Sequence, residues 1–169
     1  MQLEGPAAPA VHRRGPRMEV EDLSVYELHG GHTLKRHVGL SQDQALRRIR
    51  DGETAAGSFS DRMTAQRAVD DAIQAHGGEI AAWLWSPASR SRLAFVAYLG
   101  RVVGTSLTRR DVARGVETPS HAMSVRLVLQ ANDQLAAGFT VVTAYPTRER
   151  VSRHRAVHDA RRESEGVPA

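Results

Sequence analysis

Two histidines, a lysine and an arginine fall within six residues of the stretch Gly30-Gly31-His32-Thr33-Leu34-Lys35-Arg36-His37-Val38-Gly39. Histidine is the side chain best suited to moving protons near neutral pH. Cationic neighbours suit an anionic substrate. Glycines at either end let the backbone turn sharply and let a ligand come close. Together these residue types describe an acid–base site that handles phosphate. His37 is the leading candidate, and at this level a half-buried histidine on a helical turn accounts for it about as well. His32 is either a helix cap or a second ligand-facing group. Lys35 and Arg36 are either solvated charges or phosphate contacts.

Further along, Arg47, Arg48 and Arg50 accompany Leu46 and Ile49 on one helical segment. The apolar pair turns to the core, most of the arginines turn to solvent, and one of them can lean toward the glycine-histidine segment. Thr143 and Tyr145 alternate with Val142 and Ala144, which puts both hydroxyls on one face of a strand. That face is either ordinary surface or a pair of hydrogen-bond donors for phosphate. His12, His29, His76, His121, His154 and His158 fall in turns or chain ends. His154 and His158 have metal-ligand spacing but lack the glutamate of a zincin motif. No metal site and no cofactor site is expected.

The elements that must position these groups come in an order of helices first and strands second. A short helix is expected within Met18–Leu28, ending at Gly30, and a further helical turn over Thr33–Val38. Ser41 and Gln44 form a capping box for a helix ending at Gly52. Ser60 or Asp61 caps the next helix, which Gly77 and Gly78 end. Glu79–Trp85 adds a turn or two, and Pro87 closes the helical half. Then the period changes: Leu93–Leu99 and Arg101–Val103 read as a hairpin about Gly100. Residues 104–121 read as a long surface loop. VRLVLQ (125–130) and FTVVTAY (139–145) are strong strands, the second stopped by Pro146. This order argues for an α+β domain. Residues 1–18 read as a flexible lead-in, 19–147 as the folded domain, and 148–169 as an Arg-rich flexible tail.

Composition sets the outer bounds. A chain of 169 residues with 41% apolar and 25% charged residues is an ordinary single globular domain that can bury a core unaided. There are no cysteines, which excludes disulfides and Cys-based zinc sites. Such a chain folds equally well in oxidising and reducing compartments. No apolar run reaches the roughly 20 residues of a membrane span, so no membrane partner is expected. The first 17 residues lack the apolar block of a signal peptide. The net charge of +4 is spread thinly: residues 21–147 hold 14 cations against 13 acids, so charge alone gives no evidence of a nucleic-acid surface.

GGHTLKRHVG, then LRRI, then FSDRMTAQRAVDDAI, and finally VVTAYP resemble, in that order, the bacterial ribonuclease A-like toxin domain. That domain is the C-terminal toxin of contact-dependent growth inhibition and other polymorphic toxin proteins. The resemblance covers about residues 20–147. It implies N-terminal helices packed on a curved antiparallel sheet, like pancreatic ribonuclease without disulfides. It implies a catalytic set of His37, Arg48 eleven residues later, Thr143 and Tyr145, with His32 and Lys35 as substrate-binding groups. His32 does not fit the histidine position, since Asp43 lies eleven residues on.

The activity so implied is metal-independent RNA cleavage by 2′-OH attack, leaving a 2′,3′-cyclic phosphate and a 5′-OH. A base must take the 2′-OH proton, an acid must protonate the 5′-oxygen, and positive charge must meet the phosphorane. His37 can be base or acid, and the second proton-transfer group is open, with Tyr145 and His32 as candidates. The resemblance also implies a cognate immunity protein over the cleft, a monomer when free, and delivery within a larger effector to the target-cell cytoplasm. Two other readings of the same residues are a non-catalytic RNA- or nucleotide-binding module and a protein-interaction domain.

Overall fold

The computed structural model describes residues 17–150. The expected lead-in and tail fall mostly outside those residues, as do His12, His154 and His158. The described chain is α+β, and all of its ladder pairings are antiparallel. It begins with α1 (Leu23–Leu28), α2 (Thr33–His37) and α3 (Gln42–Arg50), followed by β1 (Ala55–Phe59), α4 (Arg62–Ala75) and α5 (Gly77–Leu84). A 3₁₀ turn (Pro87–Arg90) leads to β2 (Leu93–Tyr98), β3 (Gly104–Thr108), α6 (Arg109–Ala113), β4 (Ser120–Ala122), β5 (Ser124–Ala131) and β6 (Phe139–Thr147). Among the described residues no helix is long and apolar enough to cross a membrane.

Local chemistry fixes the helix starts. Asp22 caps α1 by accepting from the Ser24 amide. Ser41 and Gln44 cap α3 reciprocally, as the spacing predicts. Asp61 caps α4 through the Thr64 amide. The first helix is shorter than expected because residues 18–22 run extended along α4. There Gln74 bonds both the N–H and the carbonyl of Met18, at 3.0 and 2.8 Å. Gln66 takes the Leu23 N–H at 2.8 Å and gives to the Glu21 carbonyl at 3.1 Å. Gly77 and Gly78 open α5 rather than end α4, which stops at Ala75 with His76 as its C-cap.

The strands depart further from expectation. They form two three-stranded sheets, β1-β3-β4 and β2-β5-β6. The order is not helices then strands, because β1 lies between α3 and α4. The expected hairpin about Gly100 does not form: residues 101–103 form no strand, β2 pairs with β5, and the strand that begins at Gly104, β3, belongs to the other sheet, between β1 and β4. The expected surface loop over 104–121 contains β3, α6 and β4, with Ser106 and Leu107 buried. The last strand runs through Pro146 to Thr147. β6 is an edge strand of its sheet, where a residue without an N–H is tolerated.

The main core lies between α1, α4, α5 and the β2-β5-β6 sheet, around Tyr26, Phe59, Ile73, Ile80, Leu127, Leu129 and Phe139. A smaller cluster packs Leu46 and Ile49 of α3 on Ala56 and Leu107 of the other sheet. The glycine-histidine segment bridges the two. The His32 N–H donates to the Val142 carbonyl at 3.0 Å on β6. On the other side the Gly39 N–H donates to the Phe59 carbonyl at 2.9 Å, and the Leu40 N–H to Ser58 Oγ at 2.9 Å, both on β1.

Candidate active site

α2 is one short helix wedged between the sheets, and its two buried residues, Thr33 and His37, share a face by i, i+4 spacing. Thr33 Oγ1 accepts the Ala144 N–H at 2.9 Å, which anchors the helix on β6. The approach to α2 is tight. Gly30 turns at φ +92°, and a Cβ on Gly31 would sit 2.6 Å from the Val141 carbonyl oxygen and 2.9 Å from that of Tyr26. Only glycine lets the chain pass between α1 and β6 here.

His37 is 7% exposed. Its Nδ1 lies 3.0 Å from the Gly57 carbonyl oxygen on β1. A carbonyl can only accept, so Nδ1 carries the hydrogen and Nε2 presents a lone pair. Burial pushes the imidazole down to about 4, with Arg48, Arg36 and His32 adding to the effect and the Gly57 bond opposing it. At neutral pH His37 is therefore a neutral, oriented base. The Gly57 carbonyl can reach it because β1 lies directly against β6. A Cβ on Gly57 would run into the Pro146 carbonyl and come within 3.2 Å of Tyr145 Cβ.

Tyr145 lies over this histidine, with ring centroids 5.0 Å apart and planes at 32°. Burial raises its phenol above the ordinary value, so it stays protonated. Thr143 is two residues back on the same strand face. Its hydroxyl is buried and makes no hydrogen bond among the described residues. An unmet buried hydroxyl costs about 1–3 kcal/mol, and a ligand oxygen would relieve that cost. His32 stands 6.3 Å from His37, ring centre to ring centre. Its imidazole is lowered first by burial, then by Arg36, with Arg92 adding and Glu27 opposing.

Arg48 projects from α3 back toward α2, where its Nη1 donates to the Arg36 carbonyl at 2.6 Å. The bond fixes the guanidinium near His37 and leaves other N–H donors available. Arg36 is turned outward to Glu53, at 2.8 Å. The structure thus brings together His37, Tyr145, His32 and Arg48, with Thr143 beside them. It does not bring in Lys35, which is exposed and lies on the far side of α2, since two helical residues rotate about 200°. The Gly57 carbonyl was missed by reasoning from side chains, because a backbone acceptor has no residue-type signal. Thr33 was equally invisible as an anchor.

Among the described residues no three His, Asp or Glu side chains cluster as metal ligands. The arrangement offers an oriented base, two hydroxyls and cationic charge around one small space, which suits proton transfer at a phosphate.

Comparison with known proteins shows the family. Residues 31–146 match the family model described as the bacterial CdiA-CT RNase A domain. Among solved structures, the chain is similar to a CdiA-CT from Y. kristensenii 33638 crystallised as a CdiA-CT/CdiI complex. The two are 28% identical with a TM-score of 0.61, over 69% of this chain and 99% of that one. No curated protein matches the chain.

Proposed function

This chain belongs to the bacterial CdiA-CT RNase A domain family, and from that premise we propose that it is a metal-independent endoribonuclease toxin acting by 2′-OH attack. The family supports the toxin nuclease role. The finer chemistry rests on one observation: a buried imidazole whose Nδ1 is tied to the Gly57 carbonyl, so that Nε2 is the free base.

In this mechanism His37 Nε2 takes the proton from the 2′-OH. The oxygen attacks the adjacent phosphorus, forming a 2′,3′-cyclic phosphate as the bond to the 5′-oxygen breaks. Tyr145, kept protonated by burial, gives its proton to the departing 5′-oxygen. Arg48 and the unpaired Thr143 hydroxyl hold the nonbridging oxygens, where negative charge gathers in the transition state. His32 faces the same space and binds substrate. The anion in turn raises the His37 pKa, so that the base becomes stronger once RNA is bound.

By analogy with the CdiA-CT/CdiI complex, a cognate immunity protein of the CdiI kind covers this cleft until the domain, carried by a larger effector, acts in a target-cell cytoplasm. The test is incubation of purified protein with total bacterial RNA in excess chelator, beside His37→Ala, with end-group analysis. Cyclic phosphate ends lost in the variant support the proposal. Intact RNA with folded wild-type protein refutes it.

A further inference from the structure

β5 is the central strand of the β2-β5-β6 sheet, and it carries one arginine, Arg126. That residue stands opposite Tyr145 in the β5–β6 ladder and opposite Val96 in the β2–β5 ladder. Residues directly opposed in an antiparallel pair project from the same face, with their Cβ atoms about 4.5–5.5 Å apart. The chain neighbours of Arg126, Val125 and Leu127, are fully buried on the core side. Arg126 therefore shares with Tyr145 the face that meets His37.

The guanidinium is held in place. Its Nη1 donates to Glu149 Oε2 at 3.1 Å, and the Glu149 N–H donates to Thr147 Oγ1 at 3.1 Å, at the end of β6. The ion pair is partly exposed, so it contributes little to stability. Its place matters more. The groups that face the phenol are His37 from α2, neutral at pH 7, Arg126 from β5, and Glu149 just beyond β6. Burial raises the phenol, the Arg126 charge lowers it, and Glu149 opposes Arg126. A buried acid gives up its proton reluctantly, because the anion left behind is poorly solvated. A fixed cation beside it offsets that cost at the moment the anion forms.

We propose that Arg126 is a positioning residue for the acid step, its guanidinium stabilising the phenolate that Tyr145 becomes. In that step the phenol O–H bond breaks and its proton goes to the departing 5′-oxygen as the bond from phosphorus to that oxygen breaks. A phenolate remains beside Arg126 until solvent returns a proton. The proposal rests on the ribonuclease reading of this site.

Two esters test it: uridylyl-(3′,5′)-adenosine, whose leaving oxygen needs a proton, and uridine 3′-(4-nitrophenyl phosphate), whose leaving group departs without one. Arg126→Gln should lower kcat for the dinucleotide by about tenfold, a part of what the general acid itself supplies. It should leave KM, the melting temperature and cleavage of the nitrophenyl ester unchanged. Arg126→Lys should restore most of the loss. Arg126→Gln combined with Tyr145→Phe should be no slower than Tyr145→Phe alone, since Arg126 acts only through the phenol. In ¹³C-tyrosine NMR the Tyr145 titration should move up in Arg126→Gln and return in Arg126→Lys. Equal losses on the two esters would make Arg126 a phosphate contact and overturn the proposal. So would additive losses in the double variant, or a phenol that titrates alike in wild type and Arg126→Gln. A folded wild type that cleaves neither ester overturns the ribonuclease reading and this step with it, a result distinct from the other three.

Discussion

Acid should destabilise this domain through the buried His37. In the unfolded chain the imidazole has its ordinary pKa of 6.5, and in the folded chain burial holds it at about 4. Above pH 6.5 both states are neutral and the group contributes no pH dependence. As pH falls below 6.5 the unfolded chain takes up a proton that the folded one refuses. The unfolded state is then favoured progressively until pH 4, below which both are protonated and the loss is complete. At 1.36 kcal/mol per pKa unit the full difference is about 3 kcal/mol, and between pH 7.5 and 4.5 most of it, about 2–3 kcal/mol, is spent. His37→Gln keeps a donor for the Gly57 carbonyl and removes the titration. The assay is urea unfolding of both proteins at the two pH values, since every other titrating group is shared. Wild type should lose about 2–3 kcal/mol more than the variant. A ring-proton NMR titration should place the free-enzyme pKa near 4, and the acid limb of kcat/KM should follow it. Equal losses in the two proteins, or an imidazole titrating near 6.5, would refute the buried-base argument.

Three substitutions probe the rest of the site. Tyr145→Phe should leave the melting temperature nearly unchanged and lower kcat by about 10²–10⁴-fold, the usual contribution of a proton-transfer group. Thr143→Val removes an unpaired buried hydroxyl at nearly constant shape. Denaturant unfolding should show a gain of up to about 1–3 kcal/mol while RNA cleavage falls. Gly57→Ala pushes a methyl group into the Pro146 carbonyl. It should destabilise by about 1–3 kcal/mol in thermal unfolding and raise the His37 pKa as the β1–β6 contact loosens.

What could be read from the sequence was what depends on near neighbours. Ser41 and Gln44 sit three residues apart and cap α3 wherever it packs. VRLVLQ and FTVVTAY carry enough β-branched residues to be strands in almost any sheet. β1 could not be read in this way. Ala55-Ala56-Gly57-Ser58-Phe59 has no β-branched residue and no alternation, and it is a strand because β3 pairs with it and β6 covers it. The polar look of residues 104–121 concealed β3, whose serine and threonine residues are ladder members between two partners. The false hairpin about Gly100 was sound locally and failed because residues 101–103 form no strand and β2 pairs with the distant β5 instead. At the site, His37, Arg48, Thr143 and Tyr145 were named from residue type and family motif. The link that orients the His37 imidazole, the Gly57 carbonyl, belongs to the backbone of the strand that went unseen.

β6 is the last strand among the described residues, it carries Thr143 and Tyr145, and its Ala144 amide holds the helix that bears His37, more than a hundred residues earlier. No fragment lacking this strand contains the proposed reacting groups in one place, so on the proposed mechanism a chain still emerging or pulled straight cleaves nothing. Because there is no cysteine to reoxidise, the return from that state needs only chain closure. On the proposed mechanism, latency ends only when folding does, and the closing strand acts as the domain's own safety catch.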